Sequence, residues 1–131
     1  MLNTASSTPK VSVITVCLNS QNHLEAAIQS VLSQTYKDIE YIIIDGGSTD
    51  STLNIIRKYE GRISRWFSEK DKGVFDAMNK GINMATGDIL YFLNSDDYLK
   101  NESVIEKAVD FLKQEKDADF IYGDIKYYHP I

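Results

Sequence analysis

Asn94-Ser95-Asp96-Asp97 sets two adjacent carboxylates and two neutral oxygen donors directly behind the apolar run Ile89-Leu90-Tyr91-Phe92-Leu93. Adjacent carboxylates repel each other, and a divalent cation with a taste for oxygen ligands relieves that repulsion. The same residue types form turns and cap helices, so the cluster by itself also fits a polar loop whose Asp caps the next helix. The run in front of it is long enough for a core strand and too short for a helix. A buried strand is therefore expected to deliver the cluster to the rim of a sheet, where water and ligands arrive.

Two more polar clusters follow apolar runs. Val11-Ser12-Val13-Ile14-Thr15-Val16-Cys17-Leu18 is rich in β-branched residues on both alternating faces, as in a strand covered on two sides, and ends at Asn19-Ser20-Gln21-Asn22. Ile39-Glu40-Tyr41-Ile42-Ile43-Ile44 ends at Asp45-Gly46-Gly47-Ser48-Thr49-Asp50. The glycines there permit backbone angles and close approach that side chains would block.

The connecting segments read as helices. Asn22, three residues before Glu25, forms a capping-box pattern ahead of Leu24, Ala27, Ile28, Val31 and Leu32. Ser48 or Asp50 can cap a second helix bearing Leu53, Ile56 and Tyr59, which stops at Gly61. Ile63 to Phe67 reads as a short strand, and Glu69 to Gly81 as a loop turning into a short helix that Gly81 weakens. Asn101 can cap a helix with Ile105, Ala108, Val109 and Leu112, and Phe120-Ile121-Tyr122-Gly123 is expected as a further strand. Strands alternating with helices join most simply as right-handed parallel crossovers, which bring every strand's carboxyl end to one edge of the sheet. The expected fold is α/β, a Rossmann-like three-layer sandwich with a mainly parallel sheet, in which the three clusters converge.

Composition sets bounds. The 131 residues suffice for one domain, expected over 10–131, with Met1 to Pro9 as a polar leader lacking an apolar signal region. A net charge of -5 argues against nucleic acid as partner and leaves carboxylates available for metal. The single Cys17 rules out an internal disulfide and suits a reducing compartment. No apolar stretch approaches the ~18 residues of a membrane span.

Other motifs fail. There is neither a G-x-G-x-x-G fingerprint nor a phosphate loop. Read as an EF-hand, the cluster at Asn94 would put Leu99 where Gly is needed and Ile105 where Glu is needed. His23 and His129 have no spacing partner and read as a helix-start and a tail residue. Cys17, inside an apolar strand, reads as a buried thiol, and Trp66 as packing.

Val11-Ser-Val-Ile-Thr to Asn19, the Ser30-Val-Leu-Ser-Gln-Thr-Tyr helix end, Ile44-Asp-Gly-Gly-Ser-Thr-Asp, Ala77-Met-Asn-Lys-Gly-Ile, Ala85-Thr-Gly-Asp and Leu93-Asn-Ser-Asp-Asp occur in an order and at intervals that are jointly specific. Over Val11 to Asp124 the chain resembles the nucleotide-sugar-binding half of family 2 glycosyltransferases of the GT-A fold. The resemblance implies that a nucleotide diphosphate sugar is the donor and that a glycan or lipid-linked molecule is the acceptor. It implies nucleotide contacts at Thr15, Asn19, Asp45, Gly46, Gly47, Ser48, Lys72, Asn79, Lys80, Asn94 and Ser95. Asn94-Ser95-Asp96 takes the D-x-D position, so Asp96, helped by Asp97, would hold manganese or magnesium against the diphosphate.

Three departures qualify the likeness. The common Asp-Asp-Gly-Ser turn reads Asp45-Gly46-Gly47-Ser48, Ala-Arg-Asn reads Ala77-Met78-Asn79, and the first D-x-D acid is Asn94. Inverting members also use a later carboxylate as general base, and here Asp124 is the one late candidate. The resemblance thus implies an inverting transferase shortened at its C-terminus, competent for donor and metal but poor at transfer. A non-catalytic binding fragment and a sugar-nucleotide pyrophosphorylase are the alternatives, the latter disfavoured because Asn19-Ser20-Gln21-Asn22 has neither Gly nor Arg. The expected location is the cytoplasm, with peripheral attachment to the inner membrane face left to partners or further residues.

Overall fold

The computed structural model describes residues 8–127, so the expected leader, apart from Thr8 and Pro9, and His129 lie outside the described residues. The elements in order are β1 (Val11–Cys17), α1 (Leu24–Leu32), β2 (Ile39–Asp45), α2 (Thr52–Tyr59), β3 (Arg65–Ser68), α3 (Val74–Met84), β4 (Ile89–Phe92) and α4 (Val104–Gln114). The sheet has the order β3-β2-β1-β4. Every pairing is parallel, with Val11 opposite Ile39 on one side and Ile89 on the other.

Alternation along β1 and β2 divides the core into two layers of helix. Val11, Val13, Tyr41 and Ile43 face α1, α2 and α4, where they meet Leu24, Ala27, Ile28, Ile56, Ile105 and Val109. Ile14, Ile42 and Ile44 face the opposite way and pack on Ala77 of α3. Each fully buried Ile contributes about 1.5–3 kcal/mol relative to exposure. The three-layer α/β architecture is thus the one expected, and the described sheet is parallel throughout.

Gly81 explains how α3 reaches the sheet. A Cβ at this position would lie 2.5 Å from Cγ2 of Ile14, so only glycine allows the approach. The expected short helix, weakened by Gly81, is in fact an 11-residue helix. Tertiary packing outweighs the roughly 1 kcal/mol propensity cost of the glycine.

At the amino end of the sheet the buried Glu40 fastens the turn between α3 and β4. Its carboxylate accepts from Ser12 Oγ at 2.6 Å, Thr86 N at 2.8 Å and Thr86 Oγ1 at 3.0 Å, and Arg65 lies 3.5 Å away. Burial alone would raise its pKa, but the donors from Ser12 and Thr86 prevail and hold it below the usual carboxylate value.

Three local expectations are corrected. Among the described residues β4 is an edge strand, with Leu90 44% and Tyr91 38% exposed, rather than the buried strand expected. Phe120 to Gly123 forms no strand, and Phe120 and Tyr122 are exposed. The capping box at Asn22 is absent: Ser20 O accepts from the N–H groups of His23 and Leu24, while Glu25 turns to Lys58 and Tyr59 of α2. The other caps form in a variant way, Asp50 and Asn101 each accepting from the backbone two residues ahead, at Thr52 and Ser103.

Candidate functional site

β1 is flanked by β2 on one side and β4 on the other, so the order of connection reverses between β1 and β4. In open parallel sheets the crevice outside the carboxyl ends of such a strand pair is where ligands bind. Here that crevice is bridged by Ser20 and Ser95, whose hydroxyl oxygens are 2.9 Å apart. Behind Ser95 the chain turns, with Asp97 N–H donating to Asn94 O at 3.0 Å, and Asn94, Asp96 and Asp97 are all exposed. The far end of this loop is anchored by α1: Ser30 Oγ accepts from Leu99 N–H at 3.0 Å. The buried Gln34 donates to Asn101 O at 2.7 Å and accepts from Ile105 N–H at 3.1 Å. The carboxylates therefore sit on a loop held at both ends.

The loop after β2 is organised by Asp45, which is 0% exposed. Its Oδ2 accepts from Gly47 N–H at 3.0 Å, Ser48 N–H at 2.9 Å and Ser68 Oγ at 2.8 Å, while Oδ1 accepts from Ser48 Oγ and, at 3.6 Å, from Cys17 Sγ. Burial opposes ionisation, yet the donors from Ser48, Ser68 and Gly47 outweigh it and hold the carboxyl below its ordinary pKa. Burial, followed by the charge and hydrogen bond of Asp45, drives the Cys17 thiol well above its usual range, as suits an inert core thiol.

Asn19 ties this loop to the one after β1. It takes a left-handed backbone, φ 48°, which Asn tolerates better than most residues. Its N–H donates to Ser48 Oγ at 2.8 Å, and its Oδ1 accepts from Thr49 N–H at 2.9 Å.

The third wall comes from the segment leading into α3. A cleft of about 210 Å³ is lined by Val16, Cys17, Leu18, Ser20, Asp71, Gly73, Val74, Ala77 and Ser95. Gly47, φ 89°, presses on the backbone of Lys70, where a Cβ would come within 3.2 Å. Gly46 faces the Asp71 carboxylate. The two glycines therefore let the 69–73 segment close over the loop after β2.

Of the sequence-derived site residues, the fold gathers Asn19, Gly46, Gly47, Ser48, Asn94, Ser95, Asp96 and Asp97 around the carboxyl edge of the sheet. Thr15 is not among them. It is 0% exposed and its hydroxyl pairs with Tyr41 at 3.0 Å, because alternation along β1 turns it into the α1 layer. Asp45 is near the rim, but its oxygens are spent on the loop, so it shapes the site rather than lining it. On α3, Lys80 pairs with Glu69 at 2.7 Å and Asp76 at 3.4 Å, Asn79 is exposed, as is Lys72 just ahead of the helix, and the residues of that helix lining the cleft are Val74 and Ala77. Asp124 is exposed on a segment that is neither helix nor strand. Sequence reading missed Ser20 and Asp71. The lysines flanking Asp71 masked it within a charged stretch, and Gly46 was the signal that something must fill the space beside it.

Among the described residues no three His, Cys, Asp or Glu side chains converge as a closed metal cage. Asp96 and Asp97 instead offer two exposed carboxylates with open positions beside them. That donor set fits magnesium or manganese, hard cations that take one or two carboxylates and complete their shell with phosphate oxygens and water.

A parallel sheet with helices on both faces and a polar crevice at its switch point defines a doubly wound ligand-binding domain. Residues 12–129 match Glycosyl transferase family 2, and the chain belongs to that family. It is 36% identical over 120 residues to the PGL/p-HBAD biosynthesis glycosyltransferase of Mycobacterium bovis, a match covering 89% of this chain and 47% of that protein. To an uncharacterized glycosyltransferase of Haemophilus influenzae it is 37% identical over 109 residues, covering 81% and 43%. The chain thus spans about half the length of the curated relatives it matches. Among solved structures, residues 1–349 of S. aureus TarS in complex with UDP-GlcNAc match with a TM-score of 0.76 and 27% identity, over 82% of this chain and 32% of that one. The mannosyltransferase PcManGT of Pyrobaculum calidifontis shares the fold, with a TM-score of 0.75 and 24% identity over 82% of this chain and 33% of that one.

Proposed function

We propose that residues 10–131 form the donor-binding domain of a glycosyltransferase that moves a sugar from a nucleotide diphosphate to a glycan or lipid-linked acceptor with inversion. The observation that supports this is the Ser20 to Ser95 bridge: both serines line the cleft between β1 and the start of α3, and Ser95 directly precedes the exposed Asp96 and Asp97. In this reading the nucleoside lies against the cleft and the diphosphate against the loop after β4. Asn94, Ser95, Asn19 and Ser48 supply polar contacts, and Lys72 and Asn79 approach from the 72–79 segment. Asp96, with Asp97 in support, holds a divalent cation. When bound, that cation neutralises charge on the departing diphosphate. The complex of TarS with UDP-GlcNAc supports a nucleotide sugar as the ligand class.

Transfer itself needs a general base, worth about 10²–10⁴-fold. Nothing in the described structure holds Asp124 toward the cleft, so we assign it no such role. The chain spans about half the length of the curated relatives it matches, and the role we propose for the residues present is the binding of donor and metal. Calorimetric titration with UDP, dTDP and GDP, with and without manganese, tests the reading. Binding strengthened by manganese is expected, together with its loss in Asp96→Ala. Absence of any nucleotide binding, or metal-dependent binding that survives Asp96→Ala, would overturn it.

A further inference from the structure

Lys80 reaches both ends of the 69–73 segment that walls the cleft. The segment lies between β3 and α3 and is neither helix nor strand, yet Asp71 and Gly73 line the cleft from it. Its first residue, Glu69, meets Lys80 Nζ at 2.7 Å. Its fourth, Lys72, donates its N–H to Asp76 Oδ2 at 2.9 Å, and the same oxygen lies 3.4 Å from Lys80 Nζ. One ammonium therefore gathers the start and the end of the segment onto α3. That helix is a firm platform, since Gly81, the residue after Lys80, packs directly on Ile14 of the sheet.

From this geometry we infer that Lys80 is a positioning residue for donor binding: its two ion pairs strap the 69–73 segment in place as a wall of the cleft, and it does not itself contact the nucleotide. The inference rests on the donor-binding reading above. Two observations favour a strap over a direct phosphate contact. The ammonium is shared between two carboxylates, which leaves no net positive charge to attract a diphosphate. Among the described residues, moreover, those lining the cleft do not include Lys80. The side chains of Glu69 and Asp76 are 48% and 35% exposed, and ion pairs this open to water are individually weak and screened by salt. The wall can therefore swing clear for a ligand to enter and then return. Without the strap, a smaller fraction of molecules holds the binding-competent arrangement, and apparent affinity falls by the same factor.

The test is calorimetric titration of UDP, dTDP and GDP, each with manganese, into the unaltered chain and into Lys80→Met, Lys80→Arg, Glu69→Gln and Asp76→Asn, with urea midpoints to verify that each variant folds. Removing a negative charge near an anionic ligand ordinarily strengthens binding. A strap requires the opposite sign. Glu69→Gln and Asp76→Asn should each weaken the best-bound nucleotide about threefold to tenfold, as Lys80→Met does, while Lys80→Arg keeps affinity within about twofold. Trypsin reads the same segment without ligand: cleavage after Lys70 and Lys72 should quicken in Lys80→Met and in Glu69→Gln. If Lys80→Met weakens binding while the two acid variants strengthen it, Lys80 touches the diphosphate itself; the inference is then overturned and the donor-binding reading stands. Unchanged affinity in every variant overturns it likewise. If no nucleotide binds the unaltered chain, the donor-binding reading falls and takes the positioning role with it.

Discussion

Ser20 and Ser95 come from loops far apart in the chain, yet their hydroxyls meet at 2.9 Å over the crevice between β1 and β4. Ser20 N–H is held in turn by Thr52 Oγ1 at 2.8 Å, so the start of α2 is linked through Ser20 to the carboxylate loop. Ser95→Ala removes the bridge without creating a cavity of note. Urea denaturation should report a loss of about 1 kcal/mol. Metal-dependent nucleotide affinity should fall several-fold, because the Asp96 loop then lacks its tie to β1. Unchanged affinity would mean that the anchors at Ser30 and Gln34 suffice.

Gly81→Ala sets helix propensity against packing. On an exposed helix the change would gain about 1 kcal/mol. Here the new methyl meets Ile14 at 2.5 Å, and overpacking of this kind costs typically about 1–3 kcal/mol. We expect a net lower denaturation midpoint, and a higher one would show that α3 moves away from the sheet at little expense.

Asp96 and Asp97 are exposed, so their replacement should leave the fold alone. Asp96→Ala is expected to change unfolding free energy by less than about 0.5 kcal/mol. Thermal melts of the unaltered chain should rise with manganese and nucleotide together, through the usual linkage of binding to stability, and fall back on chelation. The melt of Asp96→Ala should not respond to the pair. A response equal to that of the unaltered chain would move the metal elsewhere.

Acid should unfold the chain through Asp45 and Glu40. Both are held below their ordinary values in the folded state. A depressed folded pKa means that the unfolded state binds the proton more readily, so the stabilisation is complete above the unfolded values, about 3.9 for Asp and 4.3 for Glu. It is lost as pH falls through the folded ones. Denaturation free energy should be insensitive to these groups near neutrality and should drop below about pH 4. Glu40→Gln should be less stable at pH 7 and show a shallower acid limb; an unaltered limb would refute the assignment.

The parts of the fold legible in the sequence were those where local pattern and global packing agree. The stripe of Leu24, Ala27, Ile28 and Val31 is the buried face of α1, and the β-branched run of β1 is the centre of the sheet. Where the two diverge, local pattern misleads. Leu90 and Tyr91 are apolar whether or not a neighbour covers them, so composition could not tell an edge strand from a central one. Gly81 reads as a helix breaker until Ile14 is set against it. Glu25 reads as a cap until Lys58 and Tyr59 compete for its carboxylate. At the site, spacing located the carboxyl-edge clusters, but only three-dimensional structure separates Asp45, whose oxygens serve the loop, from Asp71, which lines the cleft.

The pairing of Val11 with both Ile39 and Ile89 bears on the order in which the molecule is assembled. Of the four described strands β1 is synthesised first, and β2 follows soon enough to protect one of its edges. The other edge waits until β4 emerges, with two helices and a strand synthesised between β2 and β4. Parallel, non-local pairing of this kind is slow, and transiently open strand edges invite aggregation. The nascent chain therefore passes through a stage in which its central strand is half covered, the stage at which shelter from other chains matters for it.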